Sequence, residues 1–123
     1  MGELPRVGVL IPNLFVRVPV DSAVRSLGGE PVPLARVADA RVTGCPLVLA
    51  DADAVTDEEI RSLCQAGCAV VVFGPHREGE RLTAARRAGA VALPRSLFLA
   101  RLPEILASAL AAPGGGGKGG AAL

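Results

Sequence analysis

Five short apolar runs, separated by segments of helical periodicity, limit what this chain can fold into more than any other feature. They are RVGVLI at 6–11, PVPL at 31–34, PLVLA at 46–50, CAVVVF at 68–73 and a short run at 90–93. Apolar character without in–out alternation marks strands covered on both faces, as in a parallel sheet. Strands that alternate with helices through short links require such a sheet to carry helices on both sides. The second run contains Pro31 and Pro33, and proline donates no ladder hydrogen bond, so this strand belongs at an edge. The fourth run is the most apolar and should be central.

The intervening segments carry helix punctuation. A helix is predicted from near Val18, with Pro19 in its first turn, to Leu27, ended by Gly28 and Gly29. Residues 36–42 read as a short helix or turn. Thr56 and Glu59 form a capping box that opens a helix running to Ala66 and stopped by Gly67. A further helix spans 78–88, and a last one spans 96–111, with Phe98, Leu102, Ile105, Leu106 and Ala109 on one apolar stripe. Right-handed crossovers leave few ways to assemble five such units. The expected fold is an α/β three-layer sandwich of flavodoxin-like type, with a five-stranded parallel sheet in order 2-1-3-4-5. Residues 1–111 form one domain, and 112–123, containing GGGGKGG, read as a Gly-rich disordered tail.

Composition narrows the function classes. Thirteen basic against twelve acidic residues, three Phe and no Trp or Tyr give neither the basic patch nor the stacking platforms of a nucleic-acid binder. The longest apolar runs are strand-sized, far short of a membrane span, and no signal-peptide pattern opens the chain. Three cysteines are an odd number, consistent with reduced thiols in a cytoplasmic protein. Cys64, Cys68 and His76 lack a fourth ligand for a structural metal site. No phosphate-loop motif is present; Gly115–Lys118 follows no strand. Neither a cofactor nor a metal is expected.

Function in an open parallel sheet gathers at the carboxyl ends of the strands. That rule selects Pro12 and Asn13, Asp51 and Asp53, Gly74 to His76, and Pro94 to Ser96. At these positions the sequence resembles a known family, the CheY-like response-regulator receivers. PLVLAD at 46–51 is similar to the third receiver strand, which ends in the phosphoacceptor aspartate. AGAVALPRS at 88–96 resembles the segment around the fifth strand, and AVVVFGPH at 69–76 sits where the fourth strand and its Ser/Thr would be. The resemblance covers about residues 6–111.

The departures are specific. Pro12 and Asn13 stand where the resemblance implies an acidic pair for Mg²⁺, an ion that takes carboxylate and water oxygens. Gly74 stands for the Ser/Thr, and the charge-pairing Lys is absent in register; Arg95 follows its proline instead of preceding it. Asp51 alone matches, and one carboxylate without metal ligands or a charge clamp has little means of stabilising phosphoryl transfer. The resemblance therefore implies a pseudo-receiver: a non-enzymatic, phosphorylation-independent interaction module of signalling or regulation.

Two other readings stay open. The strand-end site holds Asn13, Asp53, Gly74, His76 and Arg95: Asp51 is phosphorylated through a degenerate site with Asp53 as a second carboxylate, or Gly74, His76 and Arg95 serve a small-molecule-binding or enzymatic domain. For the favoured reading the resemblance implies an output face on the last two helices and the fifth strand. It carries Arg81, Arg87, Leu99 and Arg101, and its partner is another signalling protein or a second copy.

Overall fold

The computed structural model describes residues 4–39, 44–75 and 79–110. Five strands form one sheet: β1 Arg6–Leu10, β2 Glu30–Pro33, β3 Leu47–Asp51, β4 Ala69–Gly74 and β5 Val91–Pro94. Every pairing is parallel and the order is β2-β1-β3-β4-β5, as the alternation of runs and the prolines of the second strand require. β4 is an interior strand, but the middle of the sheet is β3.

Alternation along each strand builds two cores. Val7, Val9, Leu47, Leu49, Val71 and Phe73 face one side; Val48, Ala50, Val70 and Val72 face the other. The first side is covered by α1 (Leu14–Ser26) and α4 (Arg95–Leu110), the second by α2 (Asp57–Gln65) and α3 (Gly79–Ala88). No polar or charged residue is buried among the described residues, so apolar burial carries the fold. Gly8 in β1 is set by close approach: a Cβ there would lie 2.7 Å from Leu34 Cδ1 and 3.3 Å from Val48 Cγ2.

The helix ends show where punctuation decided. Thr56 and Glu59 form the full capping box, with Oγ1 accepting the Glu59 N–H at 3.1 Å and Glu59 Oε1 accepting the Thr56 N–H at 2.9 Å. Gly67, at φ +94, ends α2; the Cys68 N–H donates to the Leu63 carbonyl at 2.9 Å, closing a Schellman turn. α1 differs from the sequence reading. It starts four residues earlier, and Pro19 sits inside it. The reason is Asn13, whose Oδ1 accepts the Phe15 N–H at 2.9 Å and caps the helix one turn before the proline. The stripe of α4 buries Phe98, Leu102, Ile105 and Leu106, whereas Ala109 is exposed. Residues 37–39 are helical; 40–43 and the tail from 111 onward lie outside the described residues.

Candidate functional site

The residues at the strand ends are mostly occupied with their own backbone. Asn13 caps α1. Asp51, half-buried at the end of β3, accepts the Asp53 N–H on Oδ1 at 2.9 Å and so caps the 3-10 turn Ala52–Ala54. The Asp53 carboxylate is exposed and lies 3.7 Å from Arg81 Nε, a solvent-screened pair that contributes little stability. Arg81 Nη2 donates to the Ala52 carbonyl. Arg81, expected on the output face, thus reaches from α3 to the loop that follows Asp51.

Gly74 closes β4 in a buried position. A Cβ there would meet Ala52 Cβ and Leu82 Cδ2, both at an ordinary 3.5 Å, so the site accepts a methyl but surrounds it with hydrocarbon. Arg95 is exposed at the start of α4, directly after Pro94. His76 lies outside the described residues. A concavity of about 340 Å³ is lined by Asp53, Ala54, Val55, Thr56, Asp57 and Arg81. It lies against the loop between β3 and α2, and Asn13, Gly74 and Arg95 do not line it.

These residues do not fit a divalent cation. The Asn13 oxygen is spent on the cap, Pro12 offers no side-chain ligand, and one oxygen of Asp51 is held by a backbone N–H. Among the described residues no group of three or more His, Cys, Asp or Glu can hold a metal ion. The cysteines have a packing role. Cys45 is buried, and the Cys68 thiol donates to its carbonyl at 3.0 Å. Burial pushes the Cys64 thiol up. Burial first, then the neighbouring Cys45 and Cys64, pushes up that of Cys68. Raised thiols make poor nucleophiles.

The output-face residues divide. Arg87, Leu99 and Arg101 are all exposed. In a helix each residue turns about 100°, so Leu99 and Arg101 leave α4 on nearly opposite sides. Leu110 fixes the orientation: its Cδ1 lies 3.2 Å from where a Gly29 Cβ would sit, beside β2. Leu99 projects close to the direction of Leu110, toward α1, and Arg101 points half a circle away, toward the β5 edge. Leu97, 36% exposed and one turn before Arg101, is the apolar residue on that outer stripe. The resemblance to receivers grouped these residues on one face; helical period is the signal that separates Leu99 from Arg101. Arg86, beside Arg87 on α3, donates from Nη2 to the Ala92 carbonyl of β5 at 2.7 Å, a contact the sequence does not encode.

Comparison with solved structures matches this architecture to response regulators and their receiver domains. A response regulator from Thermotoga maritima is 18% identical, covers 85% of this chain and 99% of its own, and has a TM-score of 0.66. A CheY-like receiver domain protein from Methanospirillum hungatei is 15% identical over 85% of this chain and 94% of its own, with a TM-score of 0.62. An orphan response regulator of H. pylori is 15% identical over 82% and 95%, with a TM-score of 0.64. No family model and no curated protein sequence matches the chain. The fold is the CheY-like receiver fold. No helix among the described residues is long and apolar enough to cross a membrane.

Proposed function

We propose that this chain is a receiver-like interaction module of a cytoplasmic signalling or regulatory system, and that it works without phosphorylation or catalysis. The observation that carries the reading is how the strand-end polar groups are used. Asn13 and Asp51 cap local backbone, and Gly74 is walled by Ala52 and Leu82. A phosphoryl group developing on Asp51 would meet no dedicated acceptor of its charge from β1 or β4, and that charge is what such a reaction must stabilise.

The output surface is then the outer flank of the last two helices and β5, where Arg87, Arg101, Leu97 and Val91 are all exposed. Arginine rims around apolar residues suit recognition of another protein. Arg87→Glu or Arg101→Glu should weaken partner binding without unfolding the domain, while Asp51→Asn leaves it intact. A pull-down compares the three, with circular dichroism as the folding control. Loss of binding in Asp51→Asn alone would move the working surface to the strand ends and end this reading.

One observation favours a second reading, a degenerate but phosphorylatable receiver. Asp51 is half-exposed, and only its Oδ1 is engaged among the described residues. Incubation with a small phosphodonor and Mg²⁺ tests it. A mass gain of one phosphoryl group, lost in Asp51→Asn, would replace the first reading with this one.

A further inference from the structure

The third helix is held by less hydrocarbon than its neighbours. α3 buries Leu82, Ala85 and Ala88, whereas α1 buries three valines, α2 an isoleucine and a leucine, and α4 Phe98, Leu102, Ile105 and Leu106. Apolar hold scales with the area removed from water, so one leucine and two alanines anchor their helix least. α3 also opens on Gly79, a poor helix former.

Two arginines add what burial does not. Arg81, in the first turn, reaches the loop after β3. Its Nη2 donates to the Ala52 carbonyl, and its Nε lies 3.7 Å from the Asp53 carboxylate. Arg86, in the last turn, reaches β5, where its Nη2 donates to the Ala92 carbonyl at 2.7 Å. Both acceptors belong to backbone that is fixed by other bonds. Ala92 is paired with Val72 in the sheet, and Ala52 opens the 3-10 turn that Asp51 caps. A guanidinium donating to such a carbonyl makes a charge-assisted hydrogen bond, worth more than the solvent-screened ion pair beside it.

We propose that Arg81 and Arg86 are positioning residues that clamp α3 at its two ends and hold the output flank in one arrangement. The inference rests on the reading of that flank as the output surface, because α3 carries its Arg87. Arg81 and Arg86 then serve inside the chain, and Arg87 is the arginine that α3 offers to a partner. A helix tied both to the strand-end loop and to β5 shifts only by breaking a charge-assisted bond. The surface is thus set before a partner arrives, which suits a module that works without a phosphorylation input.

Hydrogen exchange of the full chain, read amide by amide by NMR, tests the clamp with no partner present. Arg81→Met and Arg86→Met keep the aliphatic stem and remove the donors. Each should speed exchange of the amides bonded within α3, residues 83–88, about three- to tenfold, the factor that one net hydrogen bond contributes to local opening. Amides of β1 and β3 should exchange as in the parent. Arg87→Met, the same change at the exposed neighbour, should leave α3 unchanged. Parent-like exchange in either Arg81→Met or Arg86→Met would overturn the proposal. So would equal acceleration in Arg87→Met, or acceleration spread equally over β1 and β3, which marks a loss of global stability. Exchange reads the clamp and the pull-down reads the surface, so failure of the one is told from failure of the other.

Discussion

Phe98 and Phe15 carry the same side chain in opposite surroundings, and truncating each to alanine separates burial from chemistry. Phe98 is 0% exposed, and its ring stacks on Phe73 with centroids 4.7 Å apart and planes 22° from parallel. Phe98→Ala removes the ring from the core between α4 and the sheet and strips Phe73 of its stacking partner. Loss of transfer energy plus the cavity left behind costs about 3–5 kcal/mol. For a domain of about 100 residues this lowers the thermal midpoint by roughly 15–30 °C. It removes a large share of the roughly 5–15 kcal/mol that holds a typical domain together. Phe15→Ala, at 92% exposure, should stay within about 0.5 kcal/mol of the parent. Urea titration read by far-UV circular dichroism at a low-micromolar concentration measures both, with an unchanged slope as the sign that only stability moved. A loss below about 1.5 kcal/mol in Phe98→Ala, or an equal loss in the two variants, would refute a core built on α4 as described.

Two further outcomes follow from local geometry. Thr56→Ala removes the acceptor of the Glu59 N–H and should cost about 1 kcal/mol in the same titration, with Thr56→Ser restoring most of it. Cys64 and Cys68 have thiols raised above the ordinary 9.0, chiefly by burial. Unfolded thiols ionise near that value while the folded ones stay protonated, so stability is full below it and falls as pH climbs from there toward the folded values. Unfolding titrations at pH 8 and above should show that fall, and the double variant Cys64→Ser/Cys68→Ser should flatten it.

The sheet was legible because its signals are local and redundant. Pro31 and Pro33 alone put β2 at an edge, and four unbroken apolar runs left no other place for the remaining strands. The capping box at Thr56 and the glycine stop at Gly67 were legible for the same reason, since each is a backbone requirement met within a few residues. Asn13 was misread because two signals competed. A proline at position 19 resembles a helix start, yet an asparagine before Leu14 and Phe15 supplies the acceptor that the first-turn N–H groups need. The reach of Arg81 to Ala52 and of Arg86 to Ala92 was not legible. A long side chain's destination depends on which loop the tertiary fold brings within its radius, and no spacing in the chain encodes that.

The two margins of the sheet have a consequence for how this molecule behaves in a crowd. Along β2 the Glu30 and Leu34 N–H groups turn inward to Pro5 and Val9, leaving Pro31 and Pro33, which have no N–H, on the outer row. Along β5 the Ala90 N–H is returned to Ala85, the Ala92 carbonyl is covered by Arg86, and Pro94 again has no N–H. A stray extended chain needs a ladder of alternating donors and acceptors to latch on. At one margin it finds acceptors alone, and at the other little more than the amide of Ala92. The sheet is thereby shielded from growing into its neighbours, and contacts with other molecules are left to the helices.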